Sequence, residues 1–228
     1  MKKLLLVAAH PDDELLGCGG ALLYYQKLGY SVKTVFLSDG ESSRFIKKNQ
    51  NKKLIKIREN QAKKVSKICK FHSPVFARFP DNQLDTIKFL KIVKFLENEI
   101  KKFKPEIILT HNEDDLNIDH KITCKAVITA TRPSTKTFVH SIYCFETPSS
   151  TENNFSKVKV QFNPNLYIEI SNYIKKKIKL LKIYKSEIKK YPHSRSLESI
   201  KILAKYRGTQ IGVKYAEAFF VLRELKRD

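Results

Sequence analysis

Apolar runs of strand length alternate with stretches of helical period through the first two thirds of the chain. Leu4–Ala9 is an unbroken apolar segment, as expected of a strand buried on both faces. Gly19–Leu28 reads as a helix ended by Gly29, and Ser31–Leu37 as a second strand rich in Val, Thr and Phe. A long Lys-rich helix around Leu54–Lys70, a short strand at Val75–Phe79 and a helix over Asp85–Phe103 follow. In that last helix Ile87, Leu90, Ile92, Phe95, Leu96 and Ile100 keep to one face; Pro105 stops it, and Glu106–Thr110 forms another strand. The last third predicts strands at Phe138–Phe145 and Leu166–Ile170, a basic helix from Asn172 to about Lys189 and a helix from Ser196 to about Arg207. Ala216–Leu225 fits strand or helix, and Asn153–Asn165, polar and punctuated by Pro, reads as a mobile loop.

Strand–helix alternation of this kind predicts an α/β fold: a mostly parallel sheet with helices on both faces, followed by a C-terminal helical and strand elaboration. The 228 residues suit a single domain over 1–228. Ligands in such sheets collect beyond the carboxyl ends of the strands, and the polar clusters fall there. His10–Glu14 follows the first strand, Ser38–Glu41 the second, Pro80-Asp81-Asn82 the third and His111–His120 the fourth. Four loops are therefore expected to converge on one crevice.

The net charge of +21 at first suggests a polyanionic partner. Lys supplies 36 of the 44 basic residues and Arg only 8, dispersed over many helices, so nucleic acid is an unlikely partner and a basic rim for a small anionic substrate fits better. In the basic helix Ile174, Ile178, Leu181, Tyr184 and Ile188 share a face, leaving Lys175, Lys176, Lys179, Lys182 and Lys189 outside. Cys18, Cys69, Cys124 and Cys144 are widely spaced and lack any C-x-x-C pairing, which points to reduced thiols in the cytoplasm. Leu4–Ala9 is too short for a secretory core, and no stretch approaches the roughly 18 apolar residues of a membrane span.

A histidine and three acids packed into His10–Glu14, where a buried strand ends, are costly unless a cation or bound substrate compensates the charge. His10 and Asp13 at i and i+3 can approach one metal ion, and His120 is the candidate third ligand of a hydrolytic zinc site with an open position for water. Asp12, left beside the metal without a ligand role, is placed to act as general base. A helix N-cap and first turn would account for the acids, but not for His10 or the second histidine loop. Asn117 or Asp119 is suited to cap the helix after that loop. His72 and His140 sit in ordinary contexts, and His111 ends its strand close to the crevice.

His10-Pro11-Asp12-Asp13-Glu14 resembles the signature of the LmbE-like, or PIG-L, family of zinc-dependent N-acetyl-sugar deacetylases. The resemblance continues through Ser38–Glu41, Arg58-Glu59, Pro80-Asp81-Asn82, Leu116–His120, Phe145–Thr151, Pro192–Ser196 and Tyr215–Phe219. It implies a Rossmann-like three-layer fold and one Zn2+ per chain on His10, Asp13 and His120. It further implies Asp12 as base, Arg58 as a cation orienting substrate, and removal of acetyl from an N-acetylglucosamine-type sugar. Many members carry a histidine where this chain has Asn117, a residue able to donate to an oxyanion but not to deliver a proton. His193, in an isolated polar motif, is the expected substitute acid, with Asp12 as the alternative proton shuttle, and Asp81 is expected to shape the crevice, by hydrogen-bonding sugar hydroxyls or by forming a turn. The expected substrate is an N-acetylated sugar on a nucleotide, lipid or larger glycoside, and a homo-oligomer is compatible with the chain. The rival functions are a metallophosphoesterase and a non-catalytic sugar or polyanion binder.

Overall fold

The computed structural model describes residues 2–43, 48–133, 138–155 and 162–226. The elements are β1 (Lys3–Ala8), α1 (Asp13–Lys27), β2 (Ser31–Ser38), α2 (Lys48–Cys69), β3 (Val75–Phe79), α3 (Phe89–Phe103) and β4 (Ile107–His111). They continue with α4 (Ile118–Ala130), β5 (Ser141–Phe145), β6 (Leu166–Glu169), α5 (Ile174–Leu181), α6 (Leu197–Thr209) and β7 (Ala216–Glu224); short 3-10 turns lie at Leu84–Thr86 and Thr151–Asn153.

One seven-stranded sheet runs in the order β3-β2-β1-β4-β5-β7-β6. β1 to β5 are parallel, and β7 runs antiparallel to both β5 and β6. β1 is central because Leu4 to Ala9 are wholly buried. Leu4, Leu6 and Ala8 face a core shared with α1, α2, α5 and α6. Leu5 and Val7 face a second core shared with α3 and α4. The result is a Rossmann-like three-layer α/β fold. Strand order reverses between β1 and β4, so the loops leaving these two strands border the crevice where open sheets bind ligands.

Several boundaries differ from the sequence expectation. α1 starts at Asp13 rather than Gly19 and continues through the Gly-rich segment with a break at Cys18 (φ −141°, ψ 23°). The buried Glu217 carboxylate repairs that break, accepting from the backbone N–H of Gly20 at 2.8 Å and of Ala21 at 2.7 Å. Lys177, buried on α5, in turn donates to Glu217 at 2.7 Å and to the Leu16 carbonyl at 3.0 Å. α2 extends back to Lys48 from the expected Leu54, and α3 starts at Phe89 after a 3-10 turn rather than at Asp85. α5 ends at Leu181 instead of near Lys189. Short-range bonds from Ile183 N to Leu180 O and from Glu187 N to Tyr184 O replace it with tight turns that direct Tyr184 and Glu187 inward. β7 is a strand. In the expected loop Asn153–Asn165, residues 156–161 lie outside the described residues.

Candidate active site

His10 follows β1, Asp12 and Asp13 open α1, His111 ends β4 and His120 lies in the first turn of α4. Asn117 is the cap of α4: its side-chain oxygen accepts from the N–H of Asp119 at 2.8 Å and of His120 at 3.4 Å, which fixes the angle at which His120 enters. The side-chain amide of Asn117 donates to Asn82 at 3.0 Å.

The three residues expected as metal ligands come together. His10 Nδ1 lies 3.3 Å and His120 Nε2 3.5 Å from Asp13 Oδ2. One donor atom each from His10, Asp13 and His120 falls within 4.8 Å of the others, all buried. His10 Nε2 also meets Asp81 at 3.0 Å and Asp119 at 3.2 Å, a second possible ligand group of His10, Asp81 and Asp119. Hydrogen bonding separates the two. Asp119 accepts from the backbone N–H of Asn82 at 2.8 Å and of Leu84 at 3.0 Å, and Asp81 accepts from the Ser43 hydroxyl. Asp13 Oδ1 and His120 Nε2, by contrast, are buried without a hydrogen-bond partner, while His120 Nδ1 faces the Asp115 carboxylate at 3.2 Å. Orphaned polar atoms at full burial are costly, and a cation shared among them removes the cost. The first group therefore fits a metal, with Asp81 and Asp119 orienting the His10 ring from its far side as carboxylates commonly do behind a ligating histidine.

The charges agree. Burial pushes His120 down, but Asp13 and Asp115 outweigh it and hold the ring at about 9. Two carboxylates thus surround the ring with negative charge. His111 behaves differently. Its Nε2 accepts from the Ala9 backbone N–H at 2.9 Å, so its proton sits on Nδ1, 3.2 Å from Thr147 Oγ1. Burial and the neighbouring His120 lower it to about 4. It is a neutral ring stacked on His120 at 3.8 Å between centroids, a wall for the ligand pair.

Asp12 holds a backbone conformation unfavourable for any L-residue, φ 136° and ψ −29°. Its N–H donates to Glu14 Oε2 at 2.8 Å, and Tyr184 donates to the other oxygen of Glu14 at 2.6 Å, which ties the strained turn down. Burial pushes the Asp12 carboxyl up to about 6 against the pull of Arg58 and Arg195. Arg58, only 2% exposed, donates to Glu41 from two nitrogens at 3.0 and 2.7 Å and to the Pro11 carbonyl at 3.2 Å; it also pairs with Glu187 at 2.6 Å and reaches Asp12 at 3.5 Å. Arg58 was expected to orient substrate. Its guanidinium lines the crevice and also holds Asp12 and the loop carrying Glu41.

His193 is not brought to the site. It is exposed, its Nδ1 accepts from the Arg195 backbone N–H at 3.0 Å, and it caps a turn. From the same motif Arg195 reaches in instead: its Nη1 lies 3.4 Å from Asp12 and 3.2 Å from Glu187, and its Nε donates to Ser149 at 2.5 Å. Arg195 joins His10, Asp12, Arg58, Asp81, Asn82 and Asn117 around the crevice, which has room for about 90 Å³. Sequence reasoning missed both Arg195 and Glu187. The motif Pro192–Ser196 carried the signal for the first, while Glu187 was masked by its place in an expected amphipathic helix.

A Rossmann-like sheet with a buried His–Asp–His group at its switch point, next to a carboxylate clamped by two guanidinium groups, defines the class: an α/β protein whose crevice could hold a metal ion beside a buried carboxylate. The PIG-L family model (GlcNAc-PI de-N-acetylase) matches residues 5–131, and the chain belongs to this family. It is a deacetylase, a hydrolase of amide bonds. The chain is 26% identical over 191 residues to the uncharacterized deacetylase YaiS of Escherichia coli (strain K12), covering 81% of this chain and 91% of that protein. Among solved structures, the N,N'-diacetylchitobiose deacetylase from Pyrococcus horikoshii superposes with a TM-score of 0.79 at 19% identity, over 97% of this chain and 84% of that one. GalB, the 4-carboxy-2-hydroxymuconate hydratase from Pseudomonas putida KT2440, superposes at 0.77 with 21% identity, over 100% and 99%. A deacetylase and a hydratase thus share this fold, so the backbone alone does not select the reaction.

Proposed function

We propose that the chain is a zinc-dependent hydrolase that removes acetyl from an N-acetylglucosamine-type sugar, with one Zn2+ held by His10, Asp13 and His120. The observation that carries this reading is the set of orphaned donor atoms on Asp13 and His120 beside His10. Two nitrogens and one carboxylate oxygen from the protein, with an open position, suit catalytic zinc. When bound, such an ion lowers the pKa of water and polarises a carbonyl oxygen.

The remaining work falls to the chain's own residues. Asp12, adjacent to the ligands and opening on the crevice, accepts the proton of the attacking water. Arg58 and Arg195 keep Asp12 ionised and aimed. Asn117, with its oxygen committed to the helix cap and one amide hydrogen to Asn82, has its other amide hydrogen for a developing oxyanion. With His193 outside the crevice and His111 neutral, the proton for the leaving amine comes from Asp12, returned after water attack. The metallophosphoesterase reading needs a second ion, but the alternative ligand group shares His10 and has satisfied carboxylates, which favours one ion. Among the described residues no helix is long and apolar enough to cross a membrane; the four cysteines, free and buried, fit the reduced thiols of a cytoplasmic protein.

The test is acetate release from a panel of N-acetylglucosamine glycosides by zinc-loaded protein, with the metal content measured alongside. One zinc per chain and turnover lost by about 10²–10⁴-fold in Asp12→Asn, with zinc retained, are the expected results. Two ions per chain, or an Asp12→Asn variant that works normally, would overturn the proposal.

A further inference from the structure

Asp12 stands at the N-cap of α1, the position where an aspartate ordinarily turns its carboxylate onto the first amides of the helix. Here it makes no such bond. Its φ of 136° lies in the positive range that favours glycine, and its carboxylate lines the crevice instead, with Arg58 3.5 Å and Arg195 3.4 Å from Oδ2. A favourable cap is forgone and backbone strain taken on. Such a conformation persists only where its surroundings over-determine it.

What holds Asp12 there comes from the last third of the chain. Glu14 Oε2 accepts the Asp12 N–H at 2.8 Å, and the Tyr184 hydroxyl donates to Glu14 Oε1 at 2.6 Å. Tyr184 is wholly buried and Glu14 only 1% exposed, so water does not compete for either bond. Tyr184 faces Glu14 because α5 stops at Leu181. The N–H groups of Ile183 and Tyr184 bond to the Leu180 and Leu181 carbonyls at 2.9 and 3.0 Å, and Gln61 on α2 donates to the Ile183 carbonyl at 2.9 Å, which anchors the turn. Neither Tyr184 nor Glu14 lines the crevice, and Glu14 is not part of the group formed by His10, Asp13 and His120.

We propose that Glu14 and Tyr184 are positioning residues that keep Asp12 out of its capping conformation and hold its carboxylate toward the crevice. The inference rests on the reading of Asp12 as the base given above. Without the pair Asp12 relaxes to an extended backbone, its carboxylate accepts from the N–H of Glu14 or Leu15 as an ordinary cap, and the base turns away from the attacking water. A tie that only packed the segment after α5 against α1 would have no such consequence at Asp12.

The experiment measures kcat, KM and bound zinc for acetate release from N-acetylglucosamine glycosides by the wild-type chain, Tyr184→Phe, Glu14→Gln and Glu14→Ala, together with a crystal structure of Tyr184→Phe. That variant keeps the ring and removes one hydroxyl. It should lower kcat by about tenfold to a hundredfold with KM and zinc content unchanged, because a small misplacement of a reacting group costs about that much. Glu14→Gln can still accept from Asp12 and can donate to Tyr184, so it should keep kcat within about threefold, whereas Glu14→Ala should fall as far as Tyr184→Phe. In the crystal Asp12 should show a negative φ with its carboxylate on the first amides of α1. An unchanged kcat in Tyr184→Phe, a loss of zinc or a raised KM alongside the lower kcat, a Glu14→Gln variant as impaired as Glu14→Ala, or an unmoved Asp12 would each overturn the proposal. If the wild-type chain releases acetate from no glycoside, the functional reading fails and the crystal structure decides the positioning alone. A capping Asp12 then upholds it, and a φ still near 136° overturns it.

Discussion

At Asp12 a strained backbone, a buried carboxylate and two guanidinium groups meet in one residue. Strain of this kind costs about 1–3 kcal/mol, and burial of the carboxyl adds to it. Asp12→Gly should therefore raise the urea midpoint while abolishing turnover, a separation of stability from activity measurable on the same preparation. Arg195→Ala removes a cation that lowers the Asp12 pKa. The base must be ionised to act, so the acid limb of the kcat/KM–pH profile should move to higher pH in this variant. Arg58→Ala leaves Glu41 and Glu187 buried without their main cation and should destabilise the protein by about 3–5 kcal/mol by urea unfolding. His10, Asp12, Asp13 and His120 were legible in the sequence because a histidine and acids at a strand end have few structural uses. His193 misled because the motif also contains Arg195, and nothing in a linear pattern says which of two polar neighbours turns inward.

Among the elements, α1 is held close to the sheet by residues too small to keep it away. A Cβ on Gly17 would lie 2.2 Å from the Phe145 ring, so Gly17→Ala should lower stability by about 1–3 kcal/mol through overpacking, checked by urea unfolding. Gly17 and Gly20, in a helix that the sequence reading began only at Gly19, are there for packing, and Glu217 satisfies the amides at the break. α3 shows a pH effect remote from the site. Burial pushes the Glu99 carboxyl up, but Lys33, 2.8 Å away on β2, outweighs it and leaves Glu99 below the usual glutamate range. The stabilisation is present above that range and is lost as pH falls through the folded value. Glu99→Gln should flatten that part of the stability–pH curve.

At the scale of the whole molecule, the two cores that hold the sheet and helices together include none of the candidate ligands. These ligands come from loops after β1 and β4, neighbours in space though separated in sequence. Metal should therefore stabilise the folded state without creating it: zinc at about 100 times Kd should add about 2.7 kcal/mol, and a chelator should lower Tm without unfolding the chain. His120→Ala should lose that response.

The sequence by itself determined the α/β alternation, the central buried strand and the identity of the His–Asp–His group, because periodicity and charge clustering are local properties. Tertiary structure alone decided the path of α1 through its glycines, the early end of α5, the burial of Arg58 against Glu41 and Glu187, and the choice of Arg195 over His193. Each of those depends on which distant segment lies opposite. Side chains pair across space, and the energy of a buried charge is set by neighbours that the linear order does not reveal.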